Sequence, residues 1–428
     1  MLNSFTKEIR QIEHCPQKNK SKKNFFAKFG QKKKRLKLLI LSIIACFATV
    51  AVSLYYFWEI PLLSPLSSLT TFQFLEGLKL PSPQKKIVYG FLPYWNLNKV
   101  KIQNETTHLA YFSLGIKANG AIKTKNEEGE LEPGFNKLDS DKLMELSNQV
   151  RANKGKIEIV LTQFNNDDIV ELINDPEAHQ KLIASLDSIL LAYPISGVNI
   201  DIEYTGEVTD KLRENFVIFM HSINQHLKTK YKDIKLSIDM YASAASSKQI
   251  WDVEKIAHEV DYIIIMAYDF HRRSSPQAGP VAPLFGGKDL WDTDINSHLK
   301  EFVKKVPRQK LILGLAFYGY GWRTTSEDPQ AHTYPDTGFT ATYAKVKELK
   351  SKAKEFNVEE HWHNTALAPY LTYQEEGEHY IIYFENEKSL GYKLEYARQL
   401  NLAGIAIWAL GYEGDDGDEL WRVLRKKL

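Results

Sequence analysis

Within the stretch ISGVNIDIEY, residues 195–204, three polar groups fall at alternate positions: Asn199, Asp201 and Glu203. The interleaved residues are Val198, Ile200 and Ile202. Successive side chains of a strand point to opposite faces, so the amide and both carboxylates share one side and the aliphatics the other. Burying unpaired carboxylates costs several kcal/mol each, roughly, so a strand that does this in an interior needs a reason. Proton transfer is one such reason, because a carboxyl group held beside another carboxylate and partly out of water keeps its proton towards neutrality. A lone D-x-E triplet is common, however, and a solvated edge strand or a structural ion-pair network gives the same letters.

The surroundings weigh on the choice. Aromatic residues gather where other apolar runs end: Tyr94 and Trp95 in GFLPYW, Tyr268 in IIIMAYDF, Phe317, Tyr318 and Trp322 in LGLAFYGYGW, and Trp408 in GIAIWALG. Any one of these rings could be core. Rings collected at the same ends of parallel strands would instead line one pocket, with flat faces suited to stacking on the C–H faces of pyranose sugars. Carboxylates among such rings point to hydrolysis of a glycosidic bond.

These residues must be positioned by a sheet. Short apolar, β-branched runs recur at 87–92, 108–114, 157–162, 197–202, 235–239, 261–266, 310–316 and 404–408. Between them lie amphipathic, Lys/Glu-rich segments at 139–153, 175–193, 209–231 and 294–305, with a further helix expected around 387–400. Strands alternating with helices imply right-handed βαβ units and a parallel sheet. Eight units predict an α/β fold, a (β/α)8 barrel over residues 85–428, with a doubly wound open sheet as the competitor. The interval between the seventh and eighth runs is too long for one loop and helix. It holds a helical stretch, 342–356, and two strand-like runs, 368–373 and 379–384, around Glu375-Glu376-Gly377. A small α+β insertion is expected there, about 323–385. In a barrel Val198, Ile200 and Ile202 would face the helices, and Asn199, Asp201 and Glu203 the interior.

The chain's 428 residues are 43% hydrophobic, ample for one large core. Its formal charge of +2 conceals a division: residues 1–37 hold 12 Lys/Arg against 2 Asp/Glu, leaving 43 against 51 beyond them. Residues 38–57, LLILSIIACFATVAVSLYYF, contain no ionisable Asp, Glu, Lys, Arg or His and end in bulky aromatics, not in a small-residue cleavage site. Twenty residues at about 1.5 Å each span a hydrocarbon core, and the basic flank stays cytoplasmic. The expectation is a basic cytoplasmic arm (1–37), an uncleaved single-pass transmembrane anchor (38–58), a Pro/Ser/Leu-rich linker (59–84) and an extracytoplasmic body. A cleaved signal peptide is the alternative. The lysine run is explained by topology, so no nucleic-acid partner is expected. The two cysteines, Cys15 and Cys46, both precede the body, which therefore has no disulfide, thiolate zinc site or thiol nucleophile.

At this point a resemblance becomes specific. SGVNIDIE resembles the D-G-x-D-x-D-x-E signature of family 18 glycoside hydrolases, the chitinases and their relatives. MAYDF resembles that family's M-x-Y-D, LILGLAFYGYGW its L-x-x-G-x-x-x-Y-G-x-x-W, and GIAIWALG its eighth-strand tryptophan segment. PYLTY and YIIYFENEKSLGYK are similar to its α+β insertion. The likeness runs from about Lys86 to the end, and the GVNIDIE form looks closest to the bacterial spore-cortex and cell-wall branch.

The resemblance implies roles. Glu203 matches the general acid. Asp201 matches the carboxylate that orients the substrate's 2-acetamido group, and Tyr268 the hydroxyl that hydrogen-bonds it. Met266 and Asp269 match positions lining the sugar site, Trp408 its stacking floor, and Tyr94 and Tyr318 its border. The implied mechanism is substrate-assisted, with the acetamido oxygen as nucleophile and retention of configuration. It requires no metal or organic cofactor. The expected partner is a polysaccharide containing N-acetylglucosamine, and the chain is expected to act as a monomer. The alternative is a carbohydrate-binding lectin on the same barrel. Two positions depart from the signature: Ser196 stands at its first Asp and Asn199 at its second. An Asp at 199 could share a proton with its neighbour. Asn199 is expected to donate a hydrogen bond to Asp201, to contact the substrate region, and to alter the pH profile.

Overall fold

The computed structural model describes residues 86–428 except Asp416, together with Thr49. Apart from Thr49, the arm, the anchor and the linker expected over 1–84 lie outside the described residues. No helix among the described residues is long and apolar enough to cross a membrane.

Thirteen strands are found among these residues: β1 (Ile87–Pro93), β2 (His108–Gly115), β3 (Lys156–Gln163), β4 (Gly197–Ile202), β5 (Lys235–Tyr241), β6 (Tyr262–Met266), β7 (Leu311–Ala316), β8 (Tyr318–Thr324), β9 (Phe339–Thr342), β10 (Glu359–His363), β11 (Ala368–Glu375), β12 (Glu378–Tyr383) and β13 (Gly404–Trp408). Eight of them close a barrel in the order β1-β13-β7-β6-β5-β4-β3-β2. Every neighbouring pair in it is parallel. The eight apolar runs are these eight strands, to within a residue or two.

Helices start where the side chains permit. Thr209 accepts from the Leu212 amide and opens the helix Asp210–Lys230, and Asp175 does the same for Pro176–Ala192. Each helix then presents one apolar stripe. Phe216, Phe219, Met220 and Ile223 are fully or almost fully buried, as are Leu182 and Leu186. Burying each of these side chains is worth about 1.5–3 kcal/mol. Val198, Ile200 and Ile202 of β4 have no exposed surface, as expected for a strand face covered by helices.

The barrel interior is divided. One side is filled by Tyr89, Phe91, Ala110, Phe112, Ile264, Ile312 and Ala406, joined by Val160. The other is a polar stripe on three adjacent strands: Glu158 and Thr162 on β3, Asn199 and Asp201 on β4, Ser237 and Asp239 on β5, all buried. At its lower end Tyr89 Oη donates to Glu158 Oε2 at 2.7 Å, and Asn199 Nδ2 donates to Ser237 Oγ at 3.0 Å. Burial pushes Glu158 up to about 7 and His108, 3.8 Å away, down to about 4, so the histidine faces the acid as a neutral ring.

The remaining strands form an antiparallel sheet in the order β10-β11-β12-β8-β9. Its β11–β12 hairpin turns through Glu376 and Gly377, both at positive φ, where the Glu-Glu-Gly turn was expected. The sheet takes in Tyr318–Thr324, so it begins ahead of residue 323. At Gly319 a Cβ would stand 1.8 Å from the Tyr383 carbonyl oxygen, so only glycine lets the two backbones meet where the sheet leaves the barrel. β10, with the sequence EEHWH, has no apolar alternation and gives no strand signal.

Glu385, just after β12, and Lys393, in the helix Glu387–Gln399, form a buried ion pair with Nζ–O distances of 2.8 and 2.7 Å. Lys393→Met strands a buried carboxylate. It is expected to lower unfolding stability by about 3–5 kcal/mol in denaturant titration, and Lys393→Met with Glu385→Leu to recover most of that loss.

Candidate active site

Glu203 follows β4 directly. Its amide donates to the Gln163 carbonyl at 3.1 Å, carrying the β3–β4 ladder one residue past the strand and delivering the side chain to the C-terminal rim of the barrel. The side chain is half-buried and borders a cavity of about 400 Å³. Desolvation holds its carboxyl above the ordinary glutamate value, with Asp269 adding to the rise, while Tyr241 and Arg272 oppose it. A raised carboxyl that opens on a cavity is suited to donating a proton to a bound group.

Asp201 lies one pleat deeper and is 4% exposed. Desolvation raises it well above the usual carboxylate range, and the charges of Asp239 and Glu203 raise it further. Tyr268 stands two residues beyond the end of β6, its ring passing over Gly314, where a Cβ would approach its Cε1 to 3.1 Å. Asp269 adopts a left-handed backbone with φ of 62° and receives hydrogen bonds from Tyr318 Oη and, at 3.0 Å, Tyr320 Oη. Both tyrosines come from one face of β8, so the inserted sheet contributes to the barrel's rim. Trp408, the last residue of β13, packs edge-on to Phe112 at 4.7 Å and presents its remaining surface to the cavity.

The cavity thus brings together Glu203, Asp201, Met266, Tyr268, Asp269, Tyr318 and Trp408. Two expectations need correction. Tyr94 does not line it. The chain turns into a 3-10 helix at Tyr94–Lys99, strand alternation ends there, and it is Trp95, packed edge-on against Tyr94 at 4.9 Å, that reaches the cavity. Asn199 is fully buried and absent from the cavity wall. Its amide donates not to Asp201 but to Asp239 Oδ1, at 2.9 Å, and to Ser237.

Asp239 and Tyr241 escaped the sequence reading although the signal was present. KLSIDMY alternates Ser237, Asp239 and Tyr241 against Leu236, Ile238 and Met240, the same pattern as β4. Arg272, Tyr320, Phe164, Thr340 and Tyr412, which also line the cavity, carry no such signal. A second cavity of about 670 Å³ continues past Tyr241, Met266, Tyr268, Asp269 and Arg272 to Trp291, so the depression is elongated.

Comparison with known proteins identifies this arrangement. The model of glycosyl hydrolases family 18 matches residues 85–413. The chain belongs to that family. It is a glycoside hydrolase. It is 26% identical to the uncharacterized glycosylase YvbX of Bacillus subtilis over 269 residues, covering 61% of this chain and 70% of the relative. It is 22% identical to the cortical fragment-lytic enzyme of Bacillus anthracis, covering 74% of this chain and 67% of that one. Among solved structures, the family 18 chitinase of Cycas revoluta in complex with (GlcNAc)3 superposes with a TM-score of 0.66 at 19% identity, over 80% of this chain and 99% of its own. That likeness concerns the fold.

Because the Arg272 guanidinium lowers the Glu203 carboxyl, Arg272→Met is expected to move the alkaline limb of the kcat/KM–pH profile upward by several tenths of a unit. A pH–rate series on the two proteins reads the shift directly.

Proposed function

We propose that this family 18 hydrolase is a membrane-anchored, outward-facing enzyme that cleaves β-1,4-linked polymers containing N-acetylglucosamine, with retention and by substrate assistance. The observation that carries the reading is the pairing of Glu203, raised and open to the cavity, with Asp201, raised and buried directly beneath it. Glu203 protonates the glycosidic oxygen. The 2-acetamido oxygen attacks the anomeric carbon as the C–O bond to the protonated oxygen breaks and the leaving sugar departs as an alcohol, forming an oxazolinium ion whose positive charge Asp201 faces. Water then opens the ion with Glu203 as base.

The placement of the other acids supports the acetamido group as nucleophile. Asp201 sits below Glu203 and not across the cavity from it, and Asp269 is engaged by two tyrosine hydroxyls. Tyr268 is the donor suited to the acetamido group and Trp408 the floor for the sugar ring. An elongated depression with aromatic walls suits a polymer. Peptidoglycan-type glycan is favoured over chitin. The cortical fragment-lytic relative supports this, and an enzyme tethered to its own membrane meets its own wall first. The anchor rests on residues 38–57 and the basic arm before them.

Full-length protein and Glu203→Gln are to be incubated with N-acetylglucosamine oligomers and purified peptidoglycan. Glu203→Gln is expected to lower kcat by on the order of 10²–10⁴-fold while binding persists. Equal turnover by both proteins removes Glu203 from the role of acid. For the anchor, the full chain is expected to remain with membranes through an alkaline wash, and to lose its body to protease added outside intact cells. Recovery of the chain in the soluble fraction contradicts that part.

A further inference from the structure

The interior stripe contains an acid that the proposed mechanism does not use. Asp239 is 3% exposed and lies on β5 one step beyond the Ile200–Ile238 register pair, beside Asp201 on β4. Both residues belong to the inward set of their strands, and neighbouring strands lie about 4.8 Å apart. Asn199 fixes the arrangement: its Nδ2 donates to Asp239 Oδ1 at 2.9 Å and to Ser237 Oγ at 3.0 Å. Asp201 Oδ1 is buried with no hydrogen-bond partner among the described residues.

The charges acting on the two aspartates are carboxylates, not cations. Asp201 feels Asp239 and Glu203, and Asp239 feels Glu203 and, from β3, Glu158. The remaining groups around them are uncharged hydroxyls: Tyr89 from β1, Tyr241 and Ser237 from β5, and Tyr268 beyond β6. Of the cations, Arg272 acts on Glu203 and Tyr241, and Lys156 acts on Glu158. Two carboxylates buried side by side without a cation cannot both ionise, and they titrate as a unit.

We propose that Asp239 is a positioning acid for the reaction, sharing a single proton with Asp201. With Asn199 donating to Oδ1 of Asp239, the shared proton bridges from the other Asp239 oxygen to the unpartnered Oδ1 of Asp201. When Glu203 has given up its proton to the leaving group, the pair carries one negative charge and not two. As positive charge develops on the acetamido group, the proton moves wholly onto Asp239 and leaves Asp201 ionised. When Glu203 is ionised and no sugar is bound, the proton returns to Asp201 and relieves the repulsion. One proton moves between two carboxylates, and no other atom or electron is transferred. In this chain a carboxylate on β5 therefore stands in for the one that Asn199 does not supply on β4.

The inference rests on Glu203 being the acid, and the two fail differently. In full-length Asp239→Asn the amide imitates a permanently protonated Asp239, so Asp201 stays ionised beside Glu203. The alkaline limb of kcat/KM on an N-acetylglucosamine oligomer is then expected to rise by about one pH unit, since a fixed neighbouring carboxylate disfavours ionisation of Glu203. An unchanged limb makes Asp239 a permanently neutral structural acid. A limb that falls makes it a fixed anion. Either result overturns the shared proton while leaving Glu203→Gln inactive. An active Glu203→Gln sinks the earlier reading instead.

A second measurement needs no Asp239 variant. With aspartate carboxyls labelled with carbon-13, the wild-type chain is expected to show a protonated-aspartate infrared band at neutral pH whose frequency shifts in Asp201→Asn, where the bridge to a second carboxylate is lost. A band unmoved by that change assigns the proton to Asp239 alone and overturns the inference.

Discussion

Everything at this site depends on the cost of holding carboxylates inside a parallel barrel. Strand alternation sends one face of β4 to the helices and the other to the interior, and the interior face carries Asn199, Asp201 and then Glu203. Out of water and without cations, such groups retain protons that exposed carboxylates lose. The raised proton affinity of Glu203 and the coupling of Asp201 to Asp239 follow from that single constraint.

The barrel tolerates the cost by segregating it. Its β1, β2, β6, β7 and β13 side is packed with aromatics and aliphatics, while β3, β4 and β5 carry the acids and the amide that link to one another. A gradient runs up the polar stripe, from fully enclosed Glu158 through Asp201 and Asp239 to half-open Glu203. Glu203 is the most open of them to the cavity. The others set its environment.

The inserted sheet is part of the same design. β8 leaves the barrel directly after β7, and Gly319 permits the close approach of backbones that lets it do so. Alternation along β8 then delivers Tyr318 and Tyr320 to Asp269. Family membership makes the chain a glycoside hydrolase, and the cavity that β8 helps to wall holds Glu203 at its rim with Asp201 and Asp239 deeper in the barrel.

The barrel strands, the longer flanking helices and about half of the cavity wall were legible in the sequence, because each rests on local periodicity, whereas the helices Asn166–Asn174, Val253–Glu259 and Asp418–Lys427 were not. Hydrophobic alternation marks a strand, its polar complement marks an inward face, and amphipathic Lys/Glu-rich stretches mark helices. Glu203, Asp201, Met266, Tyr268, Asp269, Tyr318 and Trp408 were found in this way or through motif resemblance. The misplacement of Tyr94 arose where alternation stops at a 3-10 turn. The polar strand β10, the reach of Arg272 and the bond from Asn199 to Asp239 depend on contacts between residues distant in sequence, with 40 positions separating that last pair. Sequence determined which residues share a face. Only the closure of the barrel decided which of those faces meet, because hydrogen-bonded register between strands is a property of the assembled sheet and not of any one segment.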